Sequence, residues 1–264
     1  MDRSRRPWTS QDLNELRSRF PVEYSAGIAH SMSRTPAAIR RRAGLLGLQK
    51  SGGRYQRSHK HYSLNAQAFG VLTHDTAYLL GMILADGSIS GDRMKVTNNN
   101  LDVLQFARHV LGSNHPIAVP RNPRDRSFTL YIRNTELANG LRQWGIVENK
   151  SLIGTWPAAV PADLFGCLLR GYFDGDGYAR YSSRHGLAVK FTSGSRELLT
   201  GLSAQLHEQG VPQRKVEQYK GRPNANRLRY NGSFAARVGR IMYGHDSFYL
   251  PYKRQPFLDQ AIRG

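Results

Sequence analysis

The sequence predicts an α+β fold: a pseudo-twofold pair of αββαββα halves preceded by a small three-helix bundle. Three observations predict it. The chain repeats itself, with "HDTAYLLGMILADGSIS" at 74–90 matching "ADLFGCLLRGYFDGDGYAR" at 162–180 and Asp86 aligning with Asp176. Each copy runs on into a short alternating strand and then an amphipathic helix, so the repeat unit is a supersecondary block rather than a lone helix. Ahead of the repeat, residues 1–49 carry three short helical patterns. The expected boundaries are a three-helix unit at 1–49, a basic linker at 50–69, a first half at 70–160 and a second half at 161–264.

The elements follow in order. "TSQDLNELRSRF" opens on Thr9 or Ser10 as N-cap and places Leu13, Leu16 and Phe20 on one face. "SAGIAHSM" is a short second helix, and "SRTPAAIRRRAGLLGL" a third, with Thr35 at the N-cap, Pro36 at the first helical position and Ile39, Ala43 and Leu46 inward. Trp8 would plug this small core. "KSGGRYQRSHKHYS" is polar, glycine-containing and basic, the composition of a linker. In the repeat, "MKVTNNNLDVLQFARHVLG" aligns with "VKFTSGSRELLTGLSAQLH", pairing Lys95 with Lys190 and Asn98 with Ser193. The alternating stretches "RSFTLYIRN" and "NRLRYNGS" are further strands, each followed by a helix. Each half closes on a lysine, Lys150 in "VENKSLIGTWP" and Lys253 in "LPYKRQPFL".

Bulk composition narrows the function. The 264 residues carry 38 Lys plus Arg against 19 Asp plus Glu, a formal charge of +19, so the natural partner is a polyanion. Residues 1–60 alone hold 13 basic and 4 acidic side chains. Double-stranded DNA is the expected partner; no long basic amphipathic helix suits a membrane surface, and "AYLLGMILA" is too short to span a bilayer. One cysteine, Cys167, excludes an internal disulfide, and no apolar run follows the basic start, so an intracellular protein is expected, in bacterial or phage-infected cytoplasm or an organelle.

The paired helices carry the chemistry. Ala77, Gly81 and Ala85 recur every fourth residue, as do Cys167, Gly171 and Gly175. A mid-helix glycine costs roughly 1 kcal/mol against alanine, and close approach of two helix axes is the reason to accept that cost. Facing stripes would bring Asp86 and Asp176 together at the bottom of the contact. Two carboxylates repel unless a cation lies between them. The helix C-termini add free carbonyls, here of Ala85 and Gly175. An all-oxygen set without a Cys/His cluster describes a hard-cation site, most simply Mg²⁺ with Mn²⁺ as substitute.

"LLGMILADG" and "LRGYFDGDG" resemble the two copies of the motif that names the LAGLIDADG homing endonucleases, over about residues 70–258. The resemblance implies a monomeric, pseudosymmetric Mg-dependent endodeoxyribonuclease whose two antiparallel sheets straddle the DNA major groove. It implies Asp86 and Asp176 as the metal-binding acids and Lys150 and Lys253 as catalytic groups beside the two scissile phosphates. It also implies cleavage of both strands across the minor groove, leaving short 3′ overhangs. Leu84 departs from the motif where Asp174 keeps it; that position is not the metal ligand. The first 49 residues resemble the Myb-like tri-helical, helix-turn-helix domains, through an early Trp-Thr and an "RT-x-x-A-I-x-x-R" third helix.

On the sheets, period-2 geometry aims alternate side chains at the groove. Arg93, Lys95, Asn98, Arg133, Arg180, Lys190, Ser193, Arg227 and Arg229 are the expected DNA contacts, with Tyr131, Tyr181 and Tyr230 interleaved. In the first unit the expected contacts are Arg34, Arg40, Arg41 and Arg42, the last three on a helix that would enter the major groove. That unit would add affinity through its tether, or repress the protein's own gene. A calcium loop is excluded because Ala179 and His185 stand where its turn glycine and bidentate glutamate belong. A glycosidase pair suits a +19 surface poorly. The "HKH" at 59–61 lacks partner ligands, and an intein is disfavoured because no splicing segments flank the motifs. Two alternatives on the same fold stay open, a non-cleaving DNA-binding transcriptional regulator and an RNA-splicing maturase.

Overall fold

The helices α1 (Ser10–Arg19), α2 (Ser25–Ser31) and α3 (Pro36–Leu45) form within the first of two compact units, residues 1–61 and 62–264. The computed structural model describes residues 7–23, 25–49, 62–120, 126–222 and 224–263; of the expected linker at 50–69, residues 50–61 lie outside them. Thr9 caps α1 in a reciprocal capping box with Asp12, and Thr35 caps α3 with Pro36 in its first turn. Leu16, Phe20, Ile28, Ala29, Met32, Ile39 and Ala43 make a separate small core, against which Trp8, Leu46 and Leu48 pack.

The second unit begins earlier than the linker boundary at residue 69 predicts. Ala68, Phe69 and Leu72 are buried in its core, and Trp144 Nε1 donates to the Phe69 carbonyl at 2.6 Å. The apolar triplet, not the polar flanks, decides where this segment sits.

The first half runs α4 (His74–Asp86), β1 (Gly87–Ser90), β2 (Arg93–Asn98), α5 (Leu101–Val110), β3 (Ile117–Ala118), β4 (Phe128–Arg133), α6 (Thr135–Gln143) and a one-turn α7 (Lys150–Ile153). The second runs α8 (Phe165–Asp176), β5 (Gly177–Ser182), β6 (Gly186–Ser193), α9 (Arg196–Glu208), β7 (Glu217–Gln218), β8 (Asn226–Asn231), α10 (Gly232–Tyr243) and α11 (Pro251–Arg263). The two antiparallel sheets have equivalent orders, β1-β2-β4-β3 and β5-β6-β8-β7. Each buries one face: Met94 and Val96 of β2 pair with Ile132 and Leu130 of β4, while Val189 and Phe191 of β6 pair with Tyr230 and Leu228 of β8. Tyr230, expected on the groove face, therefore belongs to the core, because the register turns it inward, and its hydroxyl lies 3.4 Å from Ser203 Oγ.

The halves meet through α4 and α8. A Cβ on Gly81 would collide with the Leu168 carbonyl oxygen and stand 2.8 Å from Tyr172 N; one on Gly171 would collide with the Tyr78 carbonyl oxygen. Backbone thus touches backbone, as the small-residue stripes predict. Around this joint, Tyr78 packs edge-on against Phe106 and Phe248, whose own rings stack 4.5 Å apart. Both helices turn directly into a strand at Gly87 and Gly177. These glycines have extended backbone (φ −94° and −96°), so their role is close approach: a Cβ would meet Ile83 O at 2.7 Å or Phe173 Cα at 2.7 Å. No helix among the described residues is long and apolar enough to cross a membrane.

Candidate functional site

Asp86 and Asp176 are the last residues of α4 and α8, and the glycine contact brings them together. A Cβ placed on Gly175 would stand 3.2 Å from Asp86 Oδ2. Burial raises the Asp86 carboxyl above its ordinary value, opposed by the hydrogen bond from Asn98 Nδ2 at 2.6 Å and by Lys150 and Lys253. Burial and then the neighbouring Asp86 push Asp176 up to about 6, while the two lysines pull it down. Asn98 and Ser193 occupy corresponding strand ends, yet only Asn98 reaches a carboxylate: among the described residues no donor is bonded to the Asp176 carboxylate.

The lysines approach from outside the repeat helices. Lys150, buried on α7, donates Nζ to the carbonyls of Leu84 (2.7 Å) and Ala85 (3.0 Å) at the end of α4. Lys253, on α11, donates to Gly177 O and, at 3.5 Å, to Phe173 O around the end of α8. Burial lowers both ammonium groups, and the nearby aspartates counteract it. The Ala85 carbonyl, an expected metal ligand, thus accepts from Lys150 here; Lys253 takes the carbonyls flanking Gly175 instead of its own.

A desolvated acid pair, one member without a hydrogen-bond donor, is a repulsive arrangement that a divalent cation would relieve. Among the described residues no group of three or more His, Cys, Asp or Glu is placed to hold a metal. The donors here are carboxylates and carbonyls, which fits a hard cation of the Mg²⁺, Mn²⁺ or Ca²⁺ kind. An open cleft of about 340 Å³ adjoins the pair, lined by Lys150, Asp176, Thr192, Ser193 and Asn226 among others. A larger hollow of about 940 Å³ lies at the other end of α4, beside Thr73 and Asp75, and holds none of the predicted site residues.

The outer faces of both sheets are cationic. On the first, Arg93, Lys95, Tyr131 and Arg133 are exposed, with Arg93 opposite Arg133 and Lys95 opposite Ser88 and Tyr131. Asp92 relieves the arginine pair, its Oδ2 2.6 Å from Arg133 Nε and its Oδ1 4.0 Å from Arg93 Nε. On the second, Tyr178, Lys190 and Arg229 are cross-strand neighbours, and the Lys190 ammonium lies 5.1 Å from the Tyr178 ring centre. Glu217 holds Arg227 at 2.8 Å, and Arg180 is exposed. Tyr178 is absent from the expected groove residues, although the period-2 pattern through Arg180 contains it.

In the first unit Arg40 and Arg41 are exposed on α3, and Arg42 is half-buried with its guanidinium 5.2 Å from the Trp8 ring. The expectation that Arg34 contacts DNA is corrected. Its side chain is 4 % exposed, donates to Asp12 Oδ2 and to Pro7 O at 2.8 Å each, and stacks 4.0 Å from the Trp8 ring centre. This arginine holds the small core together.

Comparison with known proteins places this geometry. The LAGLIDADG-like domain matches residues 73–142 and 167–242, one match per half. Mesophilic variants of the homing endonuclease I-DmoI superpose with a TM-score of 0.50 at 14 % identity, covering 69 % of this chain and 96 % of that one. I-DmoI in complex with DNA and Ca gives the same values. The LAGLIDADG meganuclease I-AabMI bound to uncleaved DNA also reaches 0.50, at 12 % identity over 73 % of this chain and 90 % of that one. Among curated proteins, the DNA-directed RNA polymerase subunit Rpo1C of Methanocaldococcus jannaschii is 28 % identical over 138 residues, which are 51 % of this chain but 16 % of that protein's length. With a family match in each of its two repeated halves, the chain belongs to the LAGLIDADG-like domain family.

Proposed function

We propose that this protein is a site-specific double-stranded DNA endonuclease that hydrolyses phosphodiester bonds as a monomer with a divalent metal. One observation carries the reading: Asp86 and Asp176 are pressed together at the ends of glycine-packed helices, each of which runs directly into a sheet with a cationic outer face. The printed descriptions of the structural neighbours, a homing endonuclease in complex with DNA and Ca and a meganuclease bound to uncleaved DNA, support it.

Asp86 and Asp176, with the carbonyls of Ala85 and Gly175, are the groups that would hold Mg²⁺, or Mn²⁺ in its place. A divalent cation there supplies Lewis-acid polarisation of a phosphoryl oxygen. Asn98 fixes the Asp86 carboxylate through its amide. Lys150 and Lys253 place positive charge at either end of the pair, where each offsets charge that develops on a scissile phosphate. Burial keeps both ammonium groups poorly hydrated, which strengthens that interaction. Arg93, Lys95 and Arg133 on one sheet, and Arg180, Lys190, Arg227 and Arg229 on the other, track the DNA backbone and base edges. Arg40, Arg41 and Arg42 on α3 give the first unit a second DNA contact.

The test is cleavage of a randomised double-stranded DNA library in Mg²⁺, with a Ca²⁺ control, followed by sequencing of the ends. A recurrent long site with short 3′ overhangs is the expected result. Enrichment of a site without cut ends, in Mn²⁺ as well, would replace the nuclease by a DNA-reading regulator.

A further inference from the structure

The second motif keeps an acid, Asp174, where the first has Leu84, and both side chains are buried, at 2 % and 3 % exposure. Leu84 shows that this helix position accepts an apolar residue, and a buried carboxylate is unfavourable unless its bonds require it. The bonds of Asp174 are specific. Its Oδ2 accepts from Tyr78 Oη at 2.8 Å, across the joint, and from the backbone N–H of Leu250 at 3.0 Å.

Leu250 immediately precedes α11, and the first turn of that helix closes on it: Lys253 N and Arg254 N donate to the Leu250 carbonyl at 2.9 and 3.2 Å. The turn is also held by the buried Leu250 side chain and by Arg254, whose guanidinium lies 5.3 and 4.7 Å from the Tyr243 and Tyr249 ring centres, but its own backbone bonding is incomplete. Pro256 lies inside the helix and has no N–H to give, so the bond it would have made to Tyr252 O is missing. Tyr252 is 62 % exposed, and no described side chain of α11 is fully buried. Further along, Phe257 packs edge-on against Phe173 and Tyr243 and tightly against Gly239. Lys253 therefore stands between two anchors, Phe257 on one side and, on the other, Leu250, whose side chain is buried in the core and whose main-chain N–H is held by Asp174. Lys150 needs no such anchor, because α7 is one turn long and its lysine is itself buried.

We propose that Asp174 is a positioning residue that holds the N-terminal turn of α11 so that Lys253 reaches the end of α8, and thereby serves cleavage of one strand only. The proposal rests on the nuclease reading for its catalytic half. Its structural half stands on the hydrogen bonds alone.

The experiment uses the full chain and the target duplex recovered from the library, end-labelled on each strand in turn. Asp174→Leu, which copies the first motif, should slow cleavage of one strand at least tenfold and accumulate nicked duplex, while target affinity stays within threefold. Lys253→Met should slow the same strand, and the double variant should be no slower than Lys253→Met alone. Asp174→Asn keeps an acceptor oxygen for Leu250 N–H and should restore balanced cleavage. Asp174→Ser, too short to reach that amide, replaces the leucine variant should the latter not fold. Equal slowing of both strands, or slowing of the strand opposite to that affected by Lys253→Met, overturns the proposal. Hydrogen exchange gives a readout that needs no cleavage. Peptides covering 250–255 should take up deuterium at least tenfold faster in Asp174→Leu and at the wild-type rate in Asp174→Asn, and unchanged uptake in Asp174→Leu overturns the proposal. A wild-type protein that cuts no DNA removes the nuclease reading, and the exchange arm then decides by itself whether Asp174 holds α11.

Discussion

Replacing Gly171 by alanine tests whether the two halves meet backbone to backbone. In an unobstructed helix the change is favourable by about 1 kcal/mol, because alanine is the better helix former. Here the new Cβ would overlap the Tyr78 carbonyl oxygen and stand 2.9 Å from Met82 N, and both obstacles are backbone that cannot rotate away. Ordinary carbon contacts lie near 3.5–4.0 Å, so α4 and α8 must separate. Overpacking of this kind costs about 1–3 kcal/mol or more, and a rigid obstacle places it at the upper end, for a net loss of about 2 kcal/mol. For a unit of this size that lowers Tm by roughly 4–8 °C. Gly44 supplies the contrast: it lies in α3, has ordinary helical backbone, and a Cβ there meets nothing within 4 Å. Gly44→Ala should therefore stabilise the first unit by about 0.5–1 kcal/mol. The assay is urea unfolding followed by circular dichroism on each unit's transition. A neutral or stabilising Gly171→Ala would refute the close joint, whatever Gly44→Ala does.

Further outcomes concern the charges. Lys150→Met should lower the cleavage rate about 10²–10³-fold with target affinity nearly unchanged; equal loss of binding, read by fluorescence anisotropy, would make Lys150 a DNA contact instead. Asp176, pushed up to about 6, holds its proton more tightly in the folded state than in the unfolded one. Its stability contribution is fully present below about pH 4 and is lost as pH rises through about 6. In chelator, Asp176→Asn should accordingly gain on wild type by about 2–3 kcal/mol between pH 4 and pH 7.5, and parallel stability curves would contradict the buried pair. Arg34→Ala should cost the first unit about 3–5 kcal/mol by stranding Asp12. Arg41→Ala should leave its melting unchanged but reduce the salt dependence of DNA binding by about one counterion.

The joint is legible in the sequence because small residues recur at every fourth helical position and the glycines among them are costly unless two backbones meet there, and the sheets because Met94, Val96, Val189 and Phe191 alternate with polar residues. The acids and lysines of the candidate site are visible as repeated positions. What stays hidden are partners distant in sequence. Nothing local marks Leu250 as the mate of Asp174, or Pro7 and Asp12 as the mates of Arg34. Basic residues around an arginine-rich helix read alike until burial separates them, which is why Arg34 is indistinguishable from Arg40 and Arg41 in sequence. Tyr230 misleads for a related reason: alternation gives two faces, and only the pairing with Val189 says which one is inside.

A joint in which main chain abuts main chain also has a bearing on descent. Carbonyl oxygens and glycine α-carbons are common to every variant that keeps the stripe, so at the glycines the seam between the halves is made of groups that substitution elsewhere leaves unchanged. Each half is free to change the side chains on its outer sheet face without any change in the backbone contact at these glycines. A duplication that once yielded two identical lobes can thus diverge into one molecule with two unlike outer faces joined at an unchanged backbone seam.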